Sequence, residues 1–145
     1  MYAVPLSASP FGSATARAQV YNRVGVETGV LDASPHKLVA MLFDGFFDAL
    51  AQAKGALVAG NVEVKGRALG RAVRIVDEGL KAGLDLSAGG PLAVDLSELY
   101  AYVSRRLTEA NLRNDSTALD ECAQLMQPLR EAWQSIAPQV HTATR

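Results

Sequence analysis

The sequence has few of the residues from which catalytic and metal sites are usually built. Its 145 residues include one cysteine and two histidines. A lone cysteine, Cys122, excludes an internal disulfide and indicates a reducing compartment. We interpret it as a small buried hydrophobic residue. Neither His36 nor His141 has a histidine or glutamate at ligand spacing on the same helix face. We therefore predict no metal, no cofactor and no enzymatic activity.

Long apolar runs and an excess of one charge are also missing. The formal net charge is −1, from 14 basic and 15 acidic residues, so no overall field favours nucleic acid or a membrane surface. The longest apolar run of interest, 38–43, stops at Asp44 and is far shorter than the ~20 residues of a membrane span. The first basic residue is Arg17, so the charged start of a signal peptide is absent. These features predict a soluble, cytoplasmic protein of one domain.

Aromatic residues make up only 6% of the chain, whereas apolar residues make up 49%. The apolar content is mostly Ala, Leu and Val, which suits closely packed helices better than a strand-rich core. Residues 1–33 differ, being rich in Ser, Ala, Gly and Pro. We predict a mobile tail over 1–14 and a separate N-terminal segment over 15–33, with a short helix to about residue 23 and an extended stretch after it.

Four amphipathic segments follow, each bounded by helix start or stop signals. The first begins at Ser34-Pro35, since serine caps a helix and proline fits its first position, and it ends at Gly60-Asn61. The other three are predicted over about 62–84, 91–112 and 116–136, with Pro128 bending the last. Short links imply antiparallel neighbours. The predicted fold is all-α, an antiparallel up-and-down four-helix bundle over 34–137, with a flexible tail over 138–145.

The first helix carries more apolar residues than one buried stripe requires. Val39, Phe43 and Phe47 form a second stripe, and Ile75 and Tyr100 widen the apolar faces of the second and third helices. One explanation is a wide core, covered in part by the N-terminal segment. The other is a groove that accepts the apolar side chains of a partner. The glycines of the second helix fit the latter, because they leave room for another backbone.

The sequence contains the run ASPHKLVAMLFDG over 33–45 and the run RRLTEANLRND over 105–115. The first resembles the "ASP-x-x-L…MLYDG" opening of the FliS flagellin export chaperones, and the second resembles that family's "RRL-x-EAN-x-x-ND". Residues 21–28, 89–93, 96–102 and 129–133 also resemble family segments, in order and at the expected spacing. Phe43 stands where the family commonly has tyrosine, so any contact through that hydroxyl is absent.

The resemblance implies a four-helix bundle that binds the disordered C-terminal region of flagellin in the cytoplasm. Binding would prevent premature polymerisation and support type III export, without ATP or a cofactor. The candidate flagellin-binding groove comprises Val39, Phe43, Phe47, Ile75, Tyr100, Arg105, Arg106, Asn111 and Asn114. The four polar members could equally satisfy helix ends and the turn between the third and fourth helices. Tyr21 and Val26 are the candidate residues of an N-terminal cap over the groove.

Other interpretations have a different partner. The chain could be a regulatory bundle that binds an anti-sigma factor or another flagellar regulator or export component. A bundle enzyme with a carboxylate metal site would need a Glu-x-x-His motif, and the sequence has none. We predict no nucleic-acid or membrane partner, and the sequence leaves monomer and homodimer open.

Overall fold

The computed structural model describes residues 33–136, and every regular element in that range is a helix. Helix α1 spans Pro35–Ala59 and α2 spans Val62–Arg74, continued by a π-helical segment over Ile75–Lys81. Helix α3 spans Leu86–Arg113 and α4 spans Ser116–Ser135. The predicted all-α bundle is confirmed. The segments 1–32 and 137–145 lie outside the described residues.

The ends of α1 follow the sequence signals. Ser34 is extended (φ −66°, ψ 162°), and its hydroxyl accepts a hydrogen bond from the Lys37 amide at 3.1 Å. Pro35 occupies the first helical turn, where its missing N–H leaves no bond unmade. Gly60 closes the helix at φ 75°, a conformation that glycine adopts without a steric penalty.

Contacts between helices show the direction in which neighbours run. The start of α1 meets the end of α4 through His36 and Trp133, and the end of α1 meets the start of α4 through Lys54 and Asp120. Near the start of α2, Lys65 bonds to Asn111 at the end of α3, and further along the chain Asp77 bonds to Ser104, an earlier residue of α3. The two helices of each pair therefore run in opposite directions, as expected for an up-and-down bundle.

The core lies between all four helices. Its largest fully buried side chains include Tyr100, Phe46, Leu42, Leu69, Leu107, Leu119 and Met126. Cys122 is buried among them, as predicted, and its thiol lies 3.8 Å from the Val103 carbonyl oxygen. Burial raises the pKa of this thiol to about 12, so the protonated form persists at neutral pH.

The second helix differs from the prediction of one α-helix to Leu84. The α-helical part ends at Arg74 and the π-helical segment follows it, with the Ala82 amide bonded to the Asp77 carbonyl oxygen at 3.0 Å. This segment buries two adjacent pairs, Ile75 with Val76 and Gly79 with Leu80. Because a turn of π-helix is wider than a turn of α-helix, it brings both pairs to the core. The spacing of apolar residues in the sequence does not indicate such a turn.

The start of the third helix also differs. Residues predicted as a turn form a short helical stretch from Leu86, capped by the Asp85 carboxylate, which accepts from the Ala88 amide at 3.0 Å. Gly90 interrupts it with φ 61° and ψ −146°. The long part of α3 then begins at Pro91, where the sequence placed its first turn.

Candidate functional site

Four of the apolar candidates for partner contact lie in the core. Val39 is 1% exposed, Phe43 3%, Ile75 0% and Tyr100 1%. Burial raises the pKa of the Tyr100 hydroxyl, so this side chain is neutral at every ordinary pH. In this conformation these residues present almost no surface to a partner. Their role as anchor-receiving positions stays a prediction.

Phe47 is the apolar candidate that reaches the surface. Its ring meets Phe46 edge-on, with centroids 5.3 Å apart, and lies 5.0 Å beneath the Arg130 guanidinium. Arg130 in turn donates to the Asp44 carboxylate at 2.6 Å. Phe47 therefore belongs to the seam between α1 and α4, where a cation covers part of its ring.

Arg106 belongs to an ionic network between α3 and α4. Its guanidinium donates to Glu121 at 2.6 Å and to Glu109 at 2.7 Å, and the Tyr102 hydroxyl donates to Glu121 at 2.5 Å. Two hydrogen bonds lower the pKa of the Glu121 carboxyl, and the bond from Tyr102 has a larger effect than the bond from Arg106. Arg106 thus already has two carboxylate partners within the bundle.

Asn111 and Asn114 lie together at the C-terminal end of α3, where Lys65 joins them. The Lys65 ammonium donates to the Asn111 carbonyl oxygen at 2.9 Å and to the Asn114 side-chain oxygen. Asn114 has a left-handed backbone (φ 53°), and Asp115 caps α4 by accepting from the Ala118 amide. Asn111 and Asn114 therefore have contacts at the end of α3 and in the turn that follows it. This is one of the two alternatives that the sequence left open. Contact with a partner stays a prediction for them.

Arg105, the remaining polar candidate, lies on the seam between α2 and α3. Its guanidinium carbon is 5.6 Å from the Tyr102 ring centroid. Arg105 also borders a cleft of about 340 Å³ that is lined by Val73, Asp77, Ser104, Thr108 and Glu109. Asn111 and Asn114 do not line this cleft.

A second cleft on the same seam was not predicted from the sequence. It measures about 470 Å³ and is lined by Asp77, Lys81, Ala82, Leu84, Leu86 and Ser97. Asp77 borders both clefts, and its carboxylate accepts from the Ser104 hydroxyl at 2.6 Å. The π-helical segment places Asp77 there, and no period in the sequence indicates such a segment.

The candidate cap residues Tyr21 and Val26 lie outside the described residues. Within 33–136, no group of three or more His, Cys, Asp and Glu side chains is placed to hold a metal ion. None of the helices in that range combines the length and apolar character needed to cross a membrane.

These features define the class as a helical bundle with two shallow clefts between its second and third helices. A model of the family described as "Flagellar protein FliS" matches residues 17–140. A relative from Salmonella typhimurium, named "Flagellar secretion chaperone FliS", is 51% identical over 120 residues, which is 83% of this chain and 89% of the relative. A relative with that name from Escherichia coli is 42% identical over 79% of this chain and 85% of its own length. Another from Vibrio cholerae is 37% identical over 87% of this chain and 92% of its own length.

The chain belongs to the FliS family of flagellar secretion chaperones. The resemblance of its motifs to that family is thereby confirmed.

Proposed function

We propose that this protein binds the disordered C-terminal region of flagellin in the cytoplasm, prevents its premature polymerisation and supports its type III export. The observation that carries this proposal is the 51% identity to a relative named as a flagellar secretion chaperone, across 83% of the chain. The proposed mode of action is stoichiometric binding rather than catalysis.

Physical chemistry supports a long contact surface for such a client. A disordered segment that folds on binding loses conformational entropy, so it needs a large apolar track to offset that loss. Two clefts of about 470 and 340 Å³ meet on the seam between α2 and α3. Together they offer an extended surface rather than a compact pocket.

The candidate contact residues divide by exposure. Arg105, Asn111 and Asn114 are exposed, and Phe47 and Arg106 are partly exposed, so a client can touch a part of each side chain in this conformation. We retain Val39, Phe43, Ile75 and Tyr100 as contacts that would form only if the helices around them separate. Substitutions of the first group test contact directly, whereas those of the second group also disturb the core.

Calorimetric titration with a peptide of the C-terminal region of the same organism's flagellin tests the proposal. We expect binding at one peptide per chain with a large negative heat-capacity change, because apolar surface is buried. A scrambled peptide of equal composition is the matched control. Full-length flagellin should also polymerise more slowly when the protein is equimolar. No heat with the cognate peptide, or equal heat with the scrambled one, contradicts the proposal, and binding of an anti-sigma factor instead would favour the regulatory alternative.

A further inference from the structure

A strip of three leucines on α3 is left partly uncovered near the start of that helix. Leu92, Leu96 and Leu99, the leucine strip, follow one another at helical spacing, so they share one face. The same face continues to Val103, whose carbonyl oxygen lies 3.8 Å from the thiol of Cys122 on α4. The leucine strip therefore lies on the side of α3 where α4 packs. Leu96 and Leu99 are partly buried against the core, whereas Leu92 is 63% exposed.

Trp133, the residue of α4 that is level with Leu92, is directed away from it. Val103 and Cys122 lie at one level of this antiparallel pair of helices. Eleven residues along each helix from that level are Leu92 and Trp133, so these two lie opposite each other. The ring of Trp133 stacks on His36 of α1, with centroids 4.9 Å apart. Trp133 is thus engaged with α1, and Leu92 keeps most of its apolar surface exposed.

The surroundings of the leucine strip are acidic. Residues 85–104 contain no lysine or arginine and three carboxylates, those of Asp85, Asp95 and Glu98. The Asp85 carboxylate caps the start of α3, and within residues 33–136 neither Asp95 nor Glu98 belongs to an ion pair. On the neighbouring part of α4, Arg130 is paired with Asp44 of α1. Basic side chains would therefore favour a segment that covers the strip.

The chain itself supplies a segment with this position and chemistry. Residues 137–145 follow the end of α4, which packs against α3, whereas residues 1–32 precede α1, which packs mainly against α2 and α4. The sequence APQVHTATR includes the apolar Val140 and the basic His141 and Arg145, and it has no carboxylate side chain. Nine extended residues span up to ~30 Å. Neighbouring helices are ~8–10 Å apart, so the segment is long enough to reach the strip.

We propose that residues 137–145 dock on the leucine strip, with Val140 against Leu92 and the basic side chains beside the Asp95 carboxylate. Pro138 lacks the amide that would continue α4, so the chain can turn back toward α3 at that point. The docked segment replaces the expectation of a flexible tail over 138–145. It closes the exposed end of the α3–α4 seam, and any partner of this face would first have to displace it.

Disulfide trapping in the full chain tests the contact. Leu92→Cys combined with Val140→Cys should form an intramolecular disulfide at least tenfold faster than Lys37→Cys combined with Val140→Cys, because docking raises the effective concentration of the thiols. Lys37 is the matched control, since it is exposed in the first turn of α1, which also meets the end of α4. Cys122 is kept in both variants, because burial raises the pKa of its thiol and keeps it from reacting. Far-UV circular dichroism verifies that each variant is folded.

The charge contribution is tested with the same pair of cysteines. Asp95→Lys should slow formation of the disulfide at least threefold, and by less at high salt, because it repels the basic side chains of the segment. The control is Asp48→Lys, the same change at an exposed position of α1, which should leave the rate unchanged. Equal rates in these two variants would contradict the pairing with Asp95.

Three other outcomes would overturn the proposal. Equal rates for the Leu92→Cys and Lys37→Cys variants would show that the segment has no preferred position. A disulfide between chains, seen as a dimer on a non-reducing gel, would assign the leucine strip to a second copy. Faster linkage of Leu92→Cys to Val26→Cys would assign it to the N-terminal segment. None of these results bears on flagellin binding, which the calorimetric titration measures separately.

Discussion

His36 and Trp133 join the first turn of α1 to the last turn of α4 by two reciprocal hydrogen bonds and a ring stack. Nε2 of His36 donates to the Trp133 carbonyl oxygen at 2.8 Å, and Nε1 of Trp133 donates to the His36 carbonyl oxygen at 3.0 Å. The rings are nearly parallel, 7° apart, with centroids separated by 4.9 Å. Because a carbonyl oxygen only accepts, Nε2 of His36 carries a hydrogen. The bond satisfies one of the carbonyl groups that the end of α4 leaves without a helical partner.

The two parts of this pair can be separated by substitution. His36→Phe keeps a ring against Trp133 and loses the hydrogen bond, so we expect the free energy of unfolding to fall by about 1 kcal/mol. His36→Ala also loses the ring stack, so its free energy of unfolding should fall by a further ~0.5–1.5 kcal/mol. Urea unfolding followed by the fluorescence of Trp133, the only tryptophan, measures both. Equal stability of the two variants would show that the stack contributes nothing.

The glycines of the second helix are expected to respond in opposite directions to alanine. A Cβ atom on Gly79 would lie 2.9 Å from both terminal carbons of Leu42, which are buried and cannot move away freely. We expect Gly79→Ala to destabilise the protein by roughly 1–3 kcal/mol through overpacking. Gly66→Ala enters open space in a helix interior and should stabilise it by up to ~1 kcal/mol. Chemical denaturation of both variants is the measurement, and a shift of the same sign in both would contradict the packing argument.

The bundle itself was predictable because its signals are local. Ser34, Pro35 and Gly60 act within one helical turn, and each performs the capping role that its side chain or backbone favours. The apolar stripes then determine which helix faces meet. The π-helical segment was not predictable in this way, since the burial of Ile75, Val76, Gly79 and Leu80 is decided by the neighbouring helices.

The candidate site was less accessible to sequence reasoning for the same reason. Apolar residues such as Val39 and Tyr100 give one periodic pattern whether they line a groove or a core, and the structure buries them. At the clefts beside Asp77, the Asp77 carboxylate in the π-helical segment accepts a hydrogen bond from the Ser104 hydroxyl on α3. That juxtaposition joins positions 27 residues apart and has no local signature.

Lys65 is expected to contribute more to stability than an exposed lysine does. It is 5% exposed and donates to two oxygens at the end of α3, where the helix dipole also favours a cation. Lys65→Met keeps the length of the side chain but leaves those oxygens without a donor, so we expect a loss of ~1–3 kcal/mol. Lys54→Met removes an exposed ion pair with Asp120 and should change stability by less than ~1 kcal/mol. The comparison uses urea midpoints, and equal losses would show that burial of Lys65 is unimportant.

The acid stability of the bundle should depend in part on Glu121. Hydrogen bonds from Tyr102 and Arg106 lower the pKa of its carboxyl in the folded state relative to the unfolded value of about 4.3. The stabilisation is therefore complete above that unfolded value and is lost as the pH falls through the lower, folded one. Glu121→Gln removes the titrating group, so the difference between urea midpoints at neutral and acidic pH should be smaller in the variant than in the wild type. Glu98→Gln, at an exposed position of α3, is the control and should retain the wild-type dependence. If Glu121→Gln instead loses stability by the same amount at every pH, the carboxylate acts through packing and neutral hydrogen bonds rather than through its charge.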